Sequence, residues 1–238
     1  MSIRRVFGNL GEGLISLVYP HLCLSCQTPV SRKQQPPICV PCYSRLPYTD
    51  YWKQPENPVT DRMKGRLPIE FGAALLIFRI DTVCQALIHN LKYYHRPEVG
   101  IQLGRQLGEF IRDNPALQDL DGLVPVPIHA DRRHDRGYNQ AEKITRGLAE
   151  VLHLPEYPNA LRRVVFAGSQ TRRTRFERVE NTRESFGIGK GDFAGKHLLL
   201  VDDVLTTGAT LDFCGNILME HHEGLRLSIV TLAITESG

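Results

Sequence analysis

Hydrophobic positions in this chain follow two rhythms. Near-continuous apolar runs at Phe71–Ile80, Gly122–Pro127, Leu161–Phe166, Lys196–Val201 and Arg226–Ile234 predict strands. Between them apolar residues recur every three or four positions. Val83, Leu87, Leu91 and Tyr94 predict one helix, and Leu103, Leu107, Phe110 and Ile111 a second over about 99–112. Ala141, Ile144, Leu148 and Leu152 predict a third over 138–153, and Leu211, Cys214, Ile217 and Leu218 a fourth. Strands alternating with helices imply an α/β fold, a doubly wound and mostly parallel sheet with right-handed crossovers. In such a sheet ligands bind beyond the carboxyl ends of the strands.

Ahead of this pattern the chain changes character. Phe7, Leu10, Leu14, Leu17 and Val18 form the stripe of a short amphipathic helix within 1–20, a docking face. Cys23-x-x-Cys26 and Cys39-x-x-Cys42 follow, 12 residues apart. Four thiolates at this spacing make a tetrahedral site that suits structural Zn²⁺, with no open position for catalysis. The polar, proline-containing stretch between them could scarcely form a core unaided, so the metal would supply folding energy. Disulfides compete with this reading but are disfavoured in a reducing cytosol. Cys84 and Cys214 stand in apolar helical patterns and read as core. Pro47, Pro55, Pro58, Gly65 and Pro68 mark 47–68 as a linker or irregular cover. The expected organisation is therefore a helix and zinc ribbon over 1–46, the cover over 47–68, and the α/β domain over 69–238.

Composition narrows the class further. At 238 residues, 42% hydrophobic and 23% charged, the chain has globular proportions. A net charge of +3 permits an anionic partner without demanding one. No apolar run approaches the roughly 18 residues of a membrane span. Glu12 interrupts the N-terminal stretch and no small-residue cleavage site follows, so a cytoplasmic location is expected.

The chemistry concentrates in 198–210, Leu-Leu-Leu-Val-Asp-Asp-Val-Leu-Thr-Thr-Gly-Ala-Thr. Asp202 and Asp203 sit at the carboxyl end of a buried strand, and a hydroxyl- and glycine-rich loop leads into a helix. Successive backbone N–H groups and a helix N-terminus can hold a phosphate there, with Thr206, Thr207 and Thr210 adding donors and Gly208 allowing close approach. The two carboxylates suit sugar hydroxyls or a metal bound to them. A second loop, 128–140, carries three arginines and two histidines and ends in Gly137-Tyr138-Asn139-Gln140. Arg136 offers forked donation to an anion, Gly137 suits a tight turn, and Asn139 and Gln140 offer neutral donors. A third stretch, 162–183, holds seven arginines and reads as a closing loop or a basic surface loop.

The 13-residue run resembles the ligand motif of type I phosphoribosyltransferases. Pro125-Val126-Pro127-Ile128-His129, then Arg136-Gly137-Tyr138-Asn139-Gln140, and the spacing of Gln170, Arg178, Asn181 and Phe186 resemble the ComF/GntX group of phosphoribosyltransferase-like proteins. The resemblance implies binding of 5-phosphoribosyl-1-pyrophosphate (PRPP) with Mg²⁺. Asp202 and Asp203 would then meet the ribose hydroxyls, and Thr206, Thr207, Gly208, Ala209 and Thr210 the 5-phosphate. Arg136 and Gly137 would meet the diphosphate, and catalysis would fall to Asp202, Asp203 and Arg136. It also implies a link to natural transformation or use of external DNA, and a homodimer by analogy. Three functions stay open: a transferase with an unidentified acceptor, a PRPP-keeping protein that handles single-stranded DNA, and a docking module for other DNA-uptake proteins.

Overall fold

A computed structural model describes residues 20–31, 34, 36–163 and 186–236. The expected N-terminal helix, and the arginine-rich loop from 164 through 185, lie outside these residues. Four strands form the central sheet: β1 (Phe71–Phe78), β2 (Gly122–Pro125), β5 (His197–Leu205) and β6 (Arg226–Thr235). They lie in the order β1-β6-β5-β2, and every pair is parallel. The doubly wound parallel architecture expected from the alternating pattern is present.

Helices cover both faces. Alternate residues of β5 divide between them, as the period-two geometry of a strand requires. Leu199 and Val201 join a core with α3 (Val83–Tyr93), α4 (Pro97–Ile111) and α6 (Gln140–Leu152), whereas Leu198 and Leu200 join one with α2 (Pro58–Met63) and α7 (Ala209–His221). Burial on both faces explains why the strands read as continuous apolar runs. Each fully buried leucine contributes about 2 kcal/mol through the area withdrawn from water.

Local chemistry sets the helix starts. Thr82 accepts from Gln85 N at the head of α3, and Asn57 forms a capping box with Thr60 ahead of α2. α4 and α6 touch backbone to backbone: a Cβ on Gly147 would stand 2.0 Å from the Ile101 carbonyl oxygen. The cover at 47–68 packs on the sheet. Val59, Met63 and Leu67 are buried there, and Thr49 N donates to Leu75 O at 3.0 Å.

Three sequence expectations change. β5 continues past Val201 because Asp202, Val204 and Leu205 stay in register with Thr231, Ala233 and Ile234 of β6. The loop 128–140 contains a helix, α5 (Ala130–Arg136), capped by the His129 ring. Leu161–Arg163 (β3) leaves the central sheet and pairs antiparallel with Phe186–Ile188 (β4). A short apolar run carries no information about its partner strand, so the sequence could not separate these sheets. The remaining short helix, α1 (Val40–Tyr43), belongs to the cysteine-rich front end, whose Cys23, Leu24, Ile38, Cys42 and Leu46 join the α3/α4 core.

Candidate functional site

The topology opens a crevice between β2 and β5. After β2 the chain passes to α6 on one face, and after β5 it passes to α7 on the other. Neighbouring strands whose helices diverge leave a gap beyond their carboxyl ends. A cavity of about 480 Å³ occupies that gap. It is lined by Asp202, Asp203, Thr206 and Thr210 from the end of β5 and the loop after it, by His129, Arg132 and Arg136 from the chain after β2, and by Lys92, Tyr93 and Arg163.

The acid pair has a definite electrostatic state. Asp203 N donates to Asp202 Oδ1 at 2.8 Å, and Lys92 Nζ lies 3.0 Å from Asp203 Oδ2. Burial, followed by the neighbouring Asp203 charge, pushes the Asp202 carboxyl up to about 7. Lys92 and Arg163 oppose that rise without cancelling it.

The threonine loop is shaped from behind. Gly208 (φ +80°) takes the left-handed conformation at the start of α7, and a Cβ there would stand 2.4 Å from Met63 Cε. Arg62 Nη1 donates to Leu205 O at 2.9 Å and Thr206 O at 2.7 Å, and Arg66 Nη1 donates to Thr207 O at 2.6 Å. Arg66 is itself held by Asp212 Oδ2 at 3.0 Å. Gly208 gives α7 no side-chain cap, and the first helical N–H, that of Ala209, is held only by a long 3.4 Å bond to Thr207 Oγ1, so the positive end of the dipole is open to an anion. Thr206 and Thr210 line the cavity, while Thr207, Gly208 and Ala209 form the turn behind them.

Arg136 lies over the Tyr93 ring, 5.3 Å from its centre, and donates to Gln140 Oε1 at 2.9 Å. Gly137 (φ +74°) ends α5 in the left-handed conformation. Asn139 and Gln140 are corrected from their expected place as donors to an anion. Both are nearly fully buried. Asn139 caps α6 and donates to Val126 O at 2.9 Å, and Gln140 holds Arg136. Tyr138 OH donates to Leu91 O at 2.6 Å, so this quartet builds the wall instead of facing the ligand.

Lys92, Arg62 and Arg66 were not singled out from sequence. Lys92 follows an apolar helical position, and the two arginines lie in the cover. Their importance comes from contacts across 111 to 146 residues, which leave no local pattern.

At the front end the sulfurs of Cys23, Cys26, Cys39 and Cys42 all lie within 4.8 Å of one another. Cys39 N donates to Cys23 Sγ at 3.3 Å, and Arg45 Nη2 lies 3.6 Å from Cys42 Sγ. The donor set and its closeness fit a tetrahedral metal such as zinc. Among the described residues no helix is long and apolar enough to cross a membrane.

Fold and site together define an α/β protein with an acid–threonine loop at a sheet crevice and a four-cysteine front end. Its relatives carry the identification further. The chain is 28% identical to Competence protein F of Haemophilus influenzae, over 87% of this chain and 88% of that protein. It is also 28% identical to DNA utilization protein YhgH of Escherichia coli, over 86% of this chain and 93% of that protein. These relatives, at 28% identity over most of both chains, support a place for the chain in the ComF family. No protein-family model matches it. Among solved structures, it is similar to the glutamine PRPP amidotransferase of Bacillus subtilis with a TM-score of 0.40 and 19% identity, over 59% of this chain and 30% of that one.

Proposed function

We propose that this chain is a phosphoribosyltransferase-like protein that binds PRPP with Mg²⁺ in the β2/β5 crevice and serves DNA uptake or the use of external DNA. The observation that carries the reading is one cavity lined by paired carboxylates and threonines from the end of β5 and by the arginines of α5. A pentose with phosphate groups at both ends needs that division of charge. Thr206 and Thr210, with the N–H groups at Thr207, Gly208 and Ala209, suit its 5-phosphate. Asp202 and Asp203 suit the ribose hydroxyls, and Arg136, at the turn through Gly137, suits the diphosphate.

The acid pair also fits Mg²⁺, a hard cation bound through one or two carboxylates together with substrate oxygens. When bound, Mg²⁺ would neutralise charge on the departing diphosphate. In turnover, a nitrogen nucleophile would form a bond to ribose C1 as the C1–O bond breaks. The bonding pair leaves with pyrophosphate, and the nucleophile's proton passes to solvent. Asp202 and Asp203 would stabilise positive charge growing at C1, and Arg136 the negative charge on the leaving group. The acceptor nucleophile has no assigned subsite in this scheme.

Calorimetry with PRPP and Mg²⁺ tests the reading. Wild type should bind, and Asp202→Asn with Asp203→Asn should not; unchanged affinity in the double variant removes the assignment. In this reading the protein is cytoplasmic, where the thiols stay reduced and available to zinc, and one zinc per chain is expected by elemental analysis.

A second reading draws on the name of one relative, DNA utilization protein YhgH, and on Tyr93 and Tyr94, 58% and 61% exposed beside His89. Exposed aromatics beside basic groups can stack unpaired bases. The protein would then keep the PRPP cavity without turnover and bind single-stranded DNA or a protein partner. A salt-dependent mobility shift of a single-stranded oligonucleotide, lost in Tyr93→Ala with Tyr94→Ala, tests it.

A further inference from the structure

Lys92 reaches Asp203 from the last turn of α3, and the two side chains are only 22% and 15% exposed. Both have given up much of their hydration, so removing one would leave the other charge poorly compensated. The ammonium also stands at the carboxylate oxygen that a hard divalent cation would take. At 3.0 Å it repels any cation approaching that oxygen. Arg132 and Arg136 line the same cavity, so an anion drawn to them arrives within the neighbourhood of Lys92.

Resting on the reading of the preceding subsection, we infer that Lys92 is the resident counter-ion of this site. It keeps bare divalent cations off Asp203 and passes to a diphosphate oxygen when the cation enters together with its sugar diphosphate. Lysine suits such an exchange, since its charge rides on a flexible four-carbon stem with three rotatable donors. A bare cation must displace Lys92 and leave it unpaired beside three arginines, Arg132, Arg136 and Arg163. A cation carrying phosphate oxygens brings Lys92 a new partner. The cavity thereby discriminates between free metal and the metal–ligand complex.

Calorimetric titration of the zinc-loaded full chain with Mn²⁺ alone, and separately with PRPP and Mg²⁺, tests this in wild type, Lys92→Met and Lys92→Arg. Lys92→Met should bind Mn²⁺ alone at least tenfold more tightly than wild type, and PRPP with Mg²⁺ at least tenfold more weakly. Lys92→Arg should restore the wild-type order, and the gain in Mn²⁺ affinity should vanish when Asp203→Asn is added. Equal Mn²⁺ affinity in wild type and Lys92→Met overturns the assignment. If Lys92→Met does not fold, Lys92→Gln carries the same comparison. A wild type that binds no PRPP overturns the preceding reading instead, and the Mn²⁺ comparison, which contains no sugar, still decides the place of Lys92.

Discussion

The two ends of β5 carry similar chemistry and opposite character. At the amino end His197 is fully buried, with Nδ1 2.8 Å from Asp119 Oδ1 and Nε2 2.8 Å from Ser228 Oγ. Taken as residue types this is the order of a nucleophile relay. Yet Ser228 exposes no surface, Asp119 is also held by Arg226 at 2.5 Å, and Asp121 accepts from His197 N at 2.8 Å. At the carboxyl end Asp202 and Asp203 open onto a cavity of about 480 Å³, and burial holds one of them partly protonated near neutral pH. Residue type therefore does not separate a structural polar cluster from a ligand site. Access does, together with polar groups whose partners can be exchanged.

The comparison breaks most sharply at the acid pair. Asp202→Asn with Asp203→Asn should weaken Mg²⁺-dependent PRPP binding at least a thousandfold, about 4 kcal/mol, while stability changes less, because relief of the buried like charges offsets the loss of the Lys92–Asp203 pair. Function and stability commonly oppose each other at such sites, where like charges are held together. His197→Ala should do the reverse. Losing one buried and one half-buried hydrogen bond, and filling nothing in return, should cost about 3 kcal/mol of stability by denaturant unfolding, with PRPP affinity unchanged at a temperature where the variant is folded. Loss of binding in folded His197→Ala would mean that the two ends are not separate.

A substitution that touches neither end calibrates both. Gly147→Ala drives a methyl group against the Ile101 carbonyl oxygen, where the backbones of α4 and α6 meet. The helices must part, which should cost about 2 kcal/mol without altering affinity. Urea unfolding and calorimetry on the same sample check this, and a variant as stable as wild type would show that the helix contact yields easily.

These contrasts also show what the sequence made legible. The sheet could be read because each strand is buried on both faces, and that leaves a run of apolar residues in the chain itself. The acid–threonine loop could be read because its parts are contiguous from Asp202 to Thr210. The four cysteines could be read for the same reason, as two paired spacings. Lys92, Arg62 and Arg66 could not, since each acts on a residue more than a hundred positions away. The roles of Asn139 and Gln140 reversed because an amide before a helix can cap that helix or face an anion equally well. Only the position of Val126 O and of Arg136 decides between these. His197 would have been over-read from its residue type, and only its burial settles what it does.

The finest separation of the two ends comes from pH. His197 first, then Arg226, hold the Asp119 carboxyl down to about 2, against 3.8 ordinarily. A depressed carboxyl contributes stability that is present above about pH 4 and lost as pH falls through 2. Asp202 runs the other way. With its folded value raised to about 7, the native state retains a proton that the unfolded chain releases near pH 4. Stability therefore declines as pH rises from about 4 to 7 and is level above that range. Asp202→Asn should consequently raise stability more at pH 8 than at pH 5, whereas Asp119→Asn should lower it at both. Carboxyl ¹³C resonances of the folded protein give the direct measurement, with midpoints near 7 for Asp202 and near 2 for Asp119. Because Mg²⁺ competes with the Asp202 proton, PRPP affinity should fall by up to about tenfold per pH unit below 7. Asp202 titrating near 4 alongside ordinary carboxyls, with affinity flat between pH 6 and 8, would remove the electrostatic distinction between the ends and leave only accessibility to separate them.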